Sequence, residues 1–138
     1  MENIEHIGIA VKSLSHSIPL FESLLNTSCY KEELVESESV RTAFFAAGPN
    51  KIELLESTDP DGIIAKFIEK KGEGIHHIAF AVKNLEAEMN RLSAAGFVLL
   101  NDRPRTGADN KLVCFLHPKN TNSVLIELCS DIPGETVS

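Results

Sequence analysis

The sequence lacks several features that would place it in other classes of protein. Its 138 residues include only three cysteines, Cys29, Cys114 and Cys129, and no C-x-x-C pair, so neither a zinc ribbon nor a thiol redox motif is indicated. No apolar run is long enough to span a bilayer. The start, "MENIEHIGIAV", has neither the basic segment nor the cleavage site of a signal peptide. These absences predict a cytoplasmic protein whose cysteines stay reduced.

An excess of positive charge is also missing. The formal net charge is −7, which argues against a nucleic-acid partner because phosphate binding needs a basic surface. Hydrophobic residues make up 43% and charged residues 24% of the chain, a composition typical of one globular domain with a core. Basic residues gather locally in "NDRPRTGADNKL" and "HPKN", which is compatible with a small anionic ligand.

An internal repeat organises the chain. The segment "IEHIGIAVKSL" at 4–14 matches "IHHIAFAVKNL" at 75–85 in seven of eleven positions, at an offset of 71 residues. Self-similarity on this scale indicates two copies of one structural unit. Each copy begins with a strand pattern and continues into a helical one, at 15–26 and at 84–97. Pro19 predicts a late or kinked start for the first helix, and Gly96 predicts the end of the second.

Strand-like runs follow each predicted helix. The first half has them at 40–48 and 51–57, and the second half at 97–100, 112–118 and 123–129. The pattern therefore predicts an α+β protein built as βαβββ twice. The predicted organisation is one domain over 1–138, with module 1 at about 4–57, a linker helix at about 61–71 and module 2 at about 75–130.

The period of two along a strand selects one histidine from each copy. Successive side chains point to opposite faces, so His6 shares its face with Gly8 and Ala10, and His77 shares its face with Ala79 and Ala81. Small residues beside a polar one predict a lined cavity rather than a filled core. The repeat makes His77, and not His76, the equivalent of His6, and no chemical role is predicted for His76.

The last strand of each copy carries a glutamate between apolar neighbours. Glu53 lies in "KIELLES" and Glu127 in "SVLIELC", and a carboxylate is costly to bury there without a partner. Together with His6 and His77 they form a set suited to a first-row divalent metal such as Zn, Ni, Co, Mn or Fe(II). A lone strand histidine is more often structural, and a lone glutamate such as Glu56 more often faces solvent. The repeat favours the metal site, because four separate accidents would otherwise have to coincide.

With these motifs the chain resembles the methylmalonyl-CoA epimerases of the vicinal oxygen chelate (glyoxalase and bleomycin-resistance) superfamily. The resemblance rests on "HIGIAVKSL", "KIELLES", "IAKFIEKKGEGIHHIAFAV" and "FLHPK…VLIELC" and extends from Ile4 to about Ser130. It implies two βαβββ modules packed edge to edge, with a curved eight-stranded mixed sheet enclosing a metal site.

The resemblance also implies an activity and its residues. The metal ligands fall on His6, Glu53, His77 and Glu127, and the ion is cobalt, zinc, nickel or manganese. The implied reaction interconverts the R and S forms of methylmalonyl-CoA, an acyl-CoA substrate, through a metal-stabilised enolate in a homodimer. Epimerisation needs a base on each face of that planar intermediate, and Glu53 and Glu127 are predicted to be these bases.

Two departures and two alternatives accompany this prediction. Some members carry glutamine at the position of Glu53 and a catalytic glutamate on the preceding strand, where this chain has Thr42. The usual glycine-rich turns around "FLHPK" read "GADNK" and "NTNS" here. The alternatives are glyoxalase I, which uses the same ligand types, and a non-catalytic binding or resistance protein. Candidate substrate contacts are Lys111, His117 and Lys119, with Arg105 as a further CoA-phosphate contact; a surface charge or a packing role is the alternative for each.

Overall fold

The structure of the chain is a computed structural model that describes residues 1–132. Its three α-helices are α1 (Leu14–Leu25), α2 (Ile63–Lys71) and α3 (Leu85–Ala94). Its eight strands are β1 (Asn3–Ala10), β2 (Lys31–Val35), β3 (Val40–Ala47), β4 (Asn50–Ser57), β5 (Gly74–Ala81), β6 (Arg105–Thr106), β7 (Lys111–Leu116) and β8 (Ile126–Asp131). The elements follow the order βαβββ twice, with α2 between the two series. The predicted α+β class and the two βαβββ modules are therefore confirmed.

The contacts divide the chain into two compact units. One unit, named here the His6 unit, runs from His6 to His76. The other, named the His77 unit, combines Met1–Glu5 with the described residues from His77 to Ile132. Each unit therefore holds one predicted histidine and one predicted glutamate.

In the His6 unit the strands lie in the order β2, β3, β4, β1. From His6 onward β1 runs parallel to β4, with Gly8 opposite Glu53. Strand β3 is antiparallel to β4 and sets Phe44 opposite Glu53. The alternate face packs on α1, where Phe21 is 6.2 Å from Phe45 between ring centroids. The face that carries Glu53 is thus turned away from the helix.

In the His77 unit the strands lie in the order β5, β8, β7, β6. The parallel pairing of β5 and β8 sets Ala79 opposite Glu127, and the antiparallel pairing of β8 and β7 sets Phe115 opposite Glu127. Helix α3 covers the alternate face with its buried apolar side chains, Leu85, Met89 and Leu92. In both units the large apolar residues of the strands therefore pack on a helix.

Helix α1 begins earlier than the sequence suggested. It starts at Leu14, and the side chain of Ser13 accepts a hydrogen bond from the backbone N–H of His16 at 3.3 Å. Pro19 lies inside the helix and is exposed. The predicted late start is wrong because the Ser13 cap and the burial of Leu14 stabilise the first turn ahead of the proline. The predicted helix end is correct, since Gly96 follows α3 with φ of +97°.

Two strands differ from the prediction. The sequence pattern does not predict strand β2, because most residues of "KEELV" are charged and apolar residues do not alternate with polar ones in it. The predicted strand at 97–100 forms only an isolated bridge between Leu99 and Leu116, and the sixth strand is instead β6. No helix within residues 1–132 is long and apolar enough to cross a membrane.

Candidate functional site

The first candidate pair lies in the His6 unit. His6 on β1 and Glu53 on β4 are both buried, at 6% and 4% exposure. The Nε2 atom of His6 lies 3.7 Å from Oε1 of Glu53. Gly8 lies opposite Glu53 in register and carries no side chain of its own. The fold thus buries an imidazole and a carboxylate side by side on the face that is not covered by α1.

The second candidate pair repeats this arrangement in the His77 unit. His77 on β5 and Glu127 on β8 are exposed by only 4% and 6%. The Nε2 atom of His77 lies 3.4 Å from Oε1 of Glu127. As in the His6 unit, the histidine lies on the first strand of the module and the glutamate on the last. Each module therefore builds one buried imidazole–carboxylate pair.

The 3.4 Å separation fits two ligands of one metal ion, and the 3.7 Å separation is slightly longer than that geometry. A direct hydrogen bond between nitrogen and oxygen is about 2.7–3.2 Å long, so both separations exceed it. Two ligands bound about 2.1 Å from one ion at tetrahedral or octahedral angles lie about 3.0–3.4 Å apart. A buried carboxylate also needs a compensating positive charge. The donor types and their spacing therefore make both pairs candidate metal ligands.

His76 has a different environment from its neighbour. Its ring meets the ring of Phe67 on α2 edge to face at a centroid distance of 4.9 Å. Burial, with a smaller contribution from the charge of Lys71, lowers the pKa of His76 to about 4. The imidazole is therefore neutral at neutral pH and packs between β5 and α2.

The three predicted substrate contacts lie along β7 and just after it. Lys111 opens the strand, and its Nζ lies 2.5 Å from Oδ1 of Asp131. His117 follows the strand, and its Nδ1 accepts a hydrogen bond from the backbone N–H of Lys119 at 3.0 Å. Lys119 is exposed in the short 3₁₀ turn Pro118–Asn120. Their role in substrate binding stays a prediction.

Two further residues of the His6 unit bear on the predictions. Thr42 is buried on β3, two residues before Phe44 and so on the face of Glu53, and its hydroxyl donates to the backbone carbonyl of Glu33 at 3.2 Å. Position 42 therefore carries a hydroxyl and not a carboxylate. Glu56 is half-buried rather than solvent-facing, because its Oε1 accepts a hydrogen bond from the backbone N–H of Leu14 at 2.6 Å. Glu56 thus satisfies a free donor at the start of α1.

Sequence reasoning missed an aromatic residue beside each glutamate. Phe44 lies opposite Glu53, and Phe115 lies opposite Glu127. A cation covers each ring: Nζ of Lys31 is 5.8 Å from the Phe44 centroid, and the guanidinium of Arg105 is 5.7 Å from the Phe115 centroid. The two-residue period assigns Phe44 and Phe115 to one face of their own strands, but only the strand register shows that this is the face of the glutamates.

A separate groove of about 920 Å³ lies in the His77 unit, on the side of α3. Its lining includes Glu86, Met89, Asp102, Arg103 and Leu112. It contains none of the residues predicted from the sequence to bind metal or substrate. Its mixture of both charge signs gives it no preference for an anionic ligand.

Comparison with known proteins gives relatives that span nearly the whole chain. YqjC of Bacillus subtilis, an uncharacterised protein, is 41% identical over 129 residues, which cover 94% of this chain and 92% of that protein. The ethylmalonyl-CoA/methylmalonyl-CoA epimerase of Cereibacter sphaeroides is 35% identical and covers 91% of this chain and 95% of its own. A solved structure of a Streptomyces coelicolor methylmalonyl-CoA epimerase variant with 2-nitronate-propionyl-CoA has a TM-score of 0.92 at 31% identity, over 99% of both chains.

These comparisons test the resemblance stated from the motifs. The predicted enzyme class, an isomerase of the epimerase type, is the class of the named epimerase relatives. The family model described as Glyoxalase/Bleomycin resistance protein/Dioxygenase superfamily matches residues 5–115, well over half of the chain. The chain therefore belongs to the glyoxalase/bleomycin resistance protein/dioxygenase superfamily, and methylmalonyl-CoA epimerases are among its relatives.

Proposed function

We propose that this protein is a metal-dependent epimerase that interconverts the R and S forms of methylmalonyl-CoA. The observation that carries the proposal is the buried imidazole–carboxylate pair that each unit repeats, with atom separations of 3.7 and 3.4 Å. The epimerase relatives support the substrate class, an acyl-CoA thioester. The homodimer and the cytoplasmic location predicted from the sequence belong to the same proposal.

The four residues of the two pairs are proposed to serve one divalent ion. His6 and His77 offer imidazole nitrogens, and Glu53 and Glu127 offer carboxylate oxygens, a mixture suited to cobalt, zinc, nickel or manganese. The internal repeat supports a shared ion, because the two modules place equivalent ligands on equivalent strands. When bound, such an ion supplies a Lewis acid that stabilises negative charge on the oxygen of a thioester enolate.

The protein's own contribution is proton transfer at the carbon between the thioester and the carboxylate. Inversion there needs one base on each face of the planar intermediate. We assign these roles to the carboxylates of Glu53 and Glu127, which come from opposite modules. Because each is also a proposed ligand, a carboxylate that loosens from the ion on substrate binding would hold the proton.

Turnover of two substrates tests the proposal against glyoxalase I. Metal-loaded protein is expected to racemise methylmalonyl-CoA, followed by circular dichroism or by a stereospecific coupling enzyme. Formation of lactoylglutathione from the glutathione hemithioacetal, without racemisation, would contradict the proposal. The binding-protein alternative is tested by elemental analysis of protein purified without chelator. Only trace metal, together with no activity after cobalt is added, would favour a non-catalytic binder.

Substitution of the carboxylates tests their roles as bases. Glu53→Gln and Glu127→Gln are each expected to abolish epimerisation, while one of them still exchanges the α-proton with deuterated solvent, as seen by mass spectrometry. Glu32→Gln is the matched control, since Glu32 is exposed on β2. Full activity of Glu53→Gln would show that Glu53 is not a base.

A further inference from the structure

We infer that Arg105 binds the carboxylate of the acyl group and so selects malonyl-type thioesters over simple acyl-CoA esters. The inference rests on the proposed function, and it concerns substrate selection within the same site.

The strand register places Arg105 on the face that carries His77 and Glu127. Arg105 on β6 is opposite Val113 on β7, and Val113 is opposite Cys129 on β8. Residues opposite one another in a sheet share a face, and so do residues two apart along a strand. Cys129 lies two residues beyond Glu127, so the side chains of Arg105 and Glu127 project from the same face.

Side-chain contacts connect the guanidinium to the imidazole–carboxylate pair. The guanidinium of Arg105 is 5.7 Å from the ring centroid of Phe115. The ring of Phe115 meets that of His77 edge to face at 5.9 Å, and Phe115 lies opposite Glu127 in register. One aromatic ring therefore separates the guanidinium from His77. Under the proposed function the reacting end of a ligand would lie at His77, one aromatic ring away from this cation.

The chemistry of arginine matches a carboxylate better than it matches any other group near a reacting thioester. A guanidinium presents a planar fork of donors that can bind both oxygens of a carboxylate, and it stacks on aromatic rings. Arg105 is exposed at the strand end, so a ligand can reach it. The guanidinium of Arg105 is therefore chemically suited to bind a carboxylate that reaches this end of β6.

Two ligands that give no net product test the inference by isothermal titration calorimetry. Malonyl-CoA carries the carboxylate, whereas propionyl-CoA lacks it but has the same CoA part. We expect Arg105→Ala to weaken malonyl-CoA binding by about tenfold or more and to leave propionyl-CoA binding within about twofold. Arg105→Lys is expected to recover only part of the affinity, because an ammonium lacks the planar fork. Arg103→Ala, which removes the same charge from the same segment, is the control and should leave both affinities within about twofold.

Three results would overturn the inference. If Arg105→Ala weakens the binding of both ligands equally, the arginine contacts the CoA part and not the acyl carboxylate. If Arg103→Ala weakens malonyl-CoA binding as much as Arg105→Ala does, the effect is one of general electrostatics. If Arg105→Ala weakens neither ligand, Arg105 does not belong to the binding site. Binding is read without turnover, so the two proposals fail separately. A wild-type protein that binds malonyl-CoA but does not epimerise contradicts the proposed function alone, and one that binds neither ligand contradicts both.

Discussion

At the residue scale, two adjacent histidines are separated by the alternation of a strand. His77 is buried beside Glu127, whereas His76 packs edge to face on Phe67 of α2. The chemical difference between them therefore comes from the face of β5 on which each side chain lies, not from their sequence neighbours.

This separation predicts different consequences for the two substitutions. His77→Asn is expected to lower the affinity for the divalent ion at least about tenfold, because a ligand nitrogen is lost. His76→Asn is the matched control and should keep the affinity of the wild type. Metal content after dialysis, measured by inductively coupled plasma mass spectrometry, checks both. Equal loss of metal in the two variants would contradict the assignment.

The three cysteines are predicted to differ in reactivity. Burial raises the pKa of the Cys114 thiol, an effect opposed by a hydrogen bond with the backbone of Asn101 and by the charge of Arg105. Cys129 is also buried, whereas Cys29 is half-buried. Because the thiolate is the reactive form, iodoacetamide at pH 7.5 should modify Cys29 first in the folded protein. Peptide mass spectrometry checks this, with urea-unfolded protein as the control in which all three react. Modification of Cys114 as fast as Cys29 would contradict it.

At the element scale, the side chain of one asparagine makes hydrogen bonds to β7 that the backbone of a neighbouring strand would otherwise make. The side chain of Asn101 accepts a hydrogen bond from the backbone N–H of Phe115 at 3.0 Å. Its amide group donates to the carbonyls of Val113 at 3.2 Å and of Arg103 at 2.6 Å. The segment at 97–100 thus follows β7 without forming the predicted strand, and Asn101 connects it to the turn that leads into β6.

Asn101→Ala is therefore expected to destabilise the His77 unit. Its loss leaves part-buried backbone groups of Phe115 and Val113 without these partners, which costs about 1–3 kcal/mol of the free energy of unfolding. Asn90→Ala, at an exposed position of α3, is the control and should be neutral or slightly stabilising, since alanine favours a helix. Urea denaturation monitored by circular dichroism measures both. Equal stability of Asn101→Ala and the wild type would contradict this role.

At the scale of the whole molecule, the two units repeat one arrangement with different residues. Each buries an imidazole and a carboxylate, and each sets a phenylalanine opposite the glutamate with a cation above its ring. The helices also begin alike, with Ser13 capping α1 and Asn84 capping α3. The repeat in the sequence is therefore a repeat of chemistry as well as of fold.

A shared ion predicts that metal binding stabilises the whole chain. A free ion concentration one hundred times the Kd stabilises the folded state by about 2.7 kcal/mol, which raises Tm on the order of 10 °C over that of chelator-treated protein. Differential scanning calorimetry with and without cobalt measures the shift. The double variant Glu53→Gln, Glu127→Gln should lose this increase in Tm, and Glu32→Gln should keep it. A stoichiometry of two ions per chain would contradict one ion held by four residues.

The sequence predictions succeeded where the pattern depends on neighbouring residues and failed where contacts distant in sequence decide the structure. The faces of His6 and His77 were predictable because the side-chain period of a strand is local and fixed. The start of α1 was not, because the burial of Leu14 and the Ser13 cap together outweigh the local effect of Pro19. The prediction of a strand at 97–100 was wrong because the side chain of Asn101 makes hydrogen bonds to the backbone of β7 that a paired strand would otherwise make.

The sequence by itself determined the repeat, the α+β class and the identity of the four candidate ligands, because each of these depends on residue type and local period. Only the tertiary structure decided which atoms lie side by side. It brought Nε2 of His77 to 3.4 Å from Glu127, and it placed Arg105 over Phe115 on the same face. Strand register joins residues far apart in the chain, and register is set by pairing and packing rather than by any local pattern.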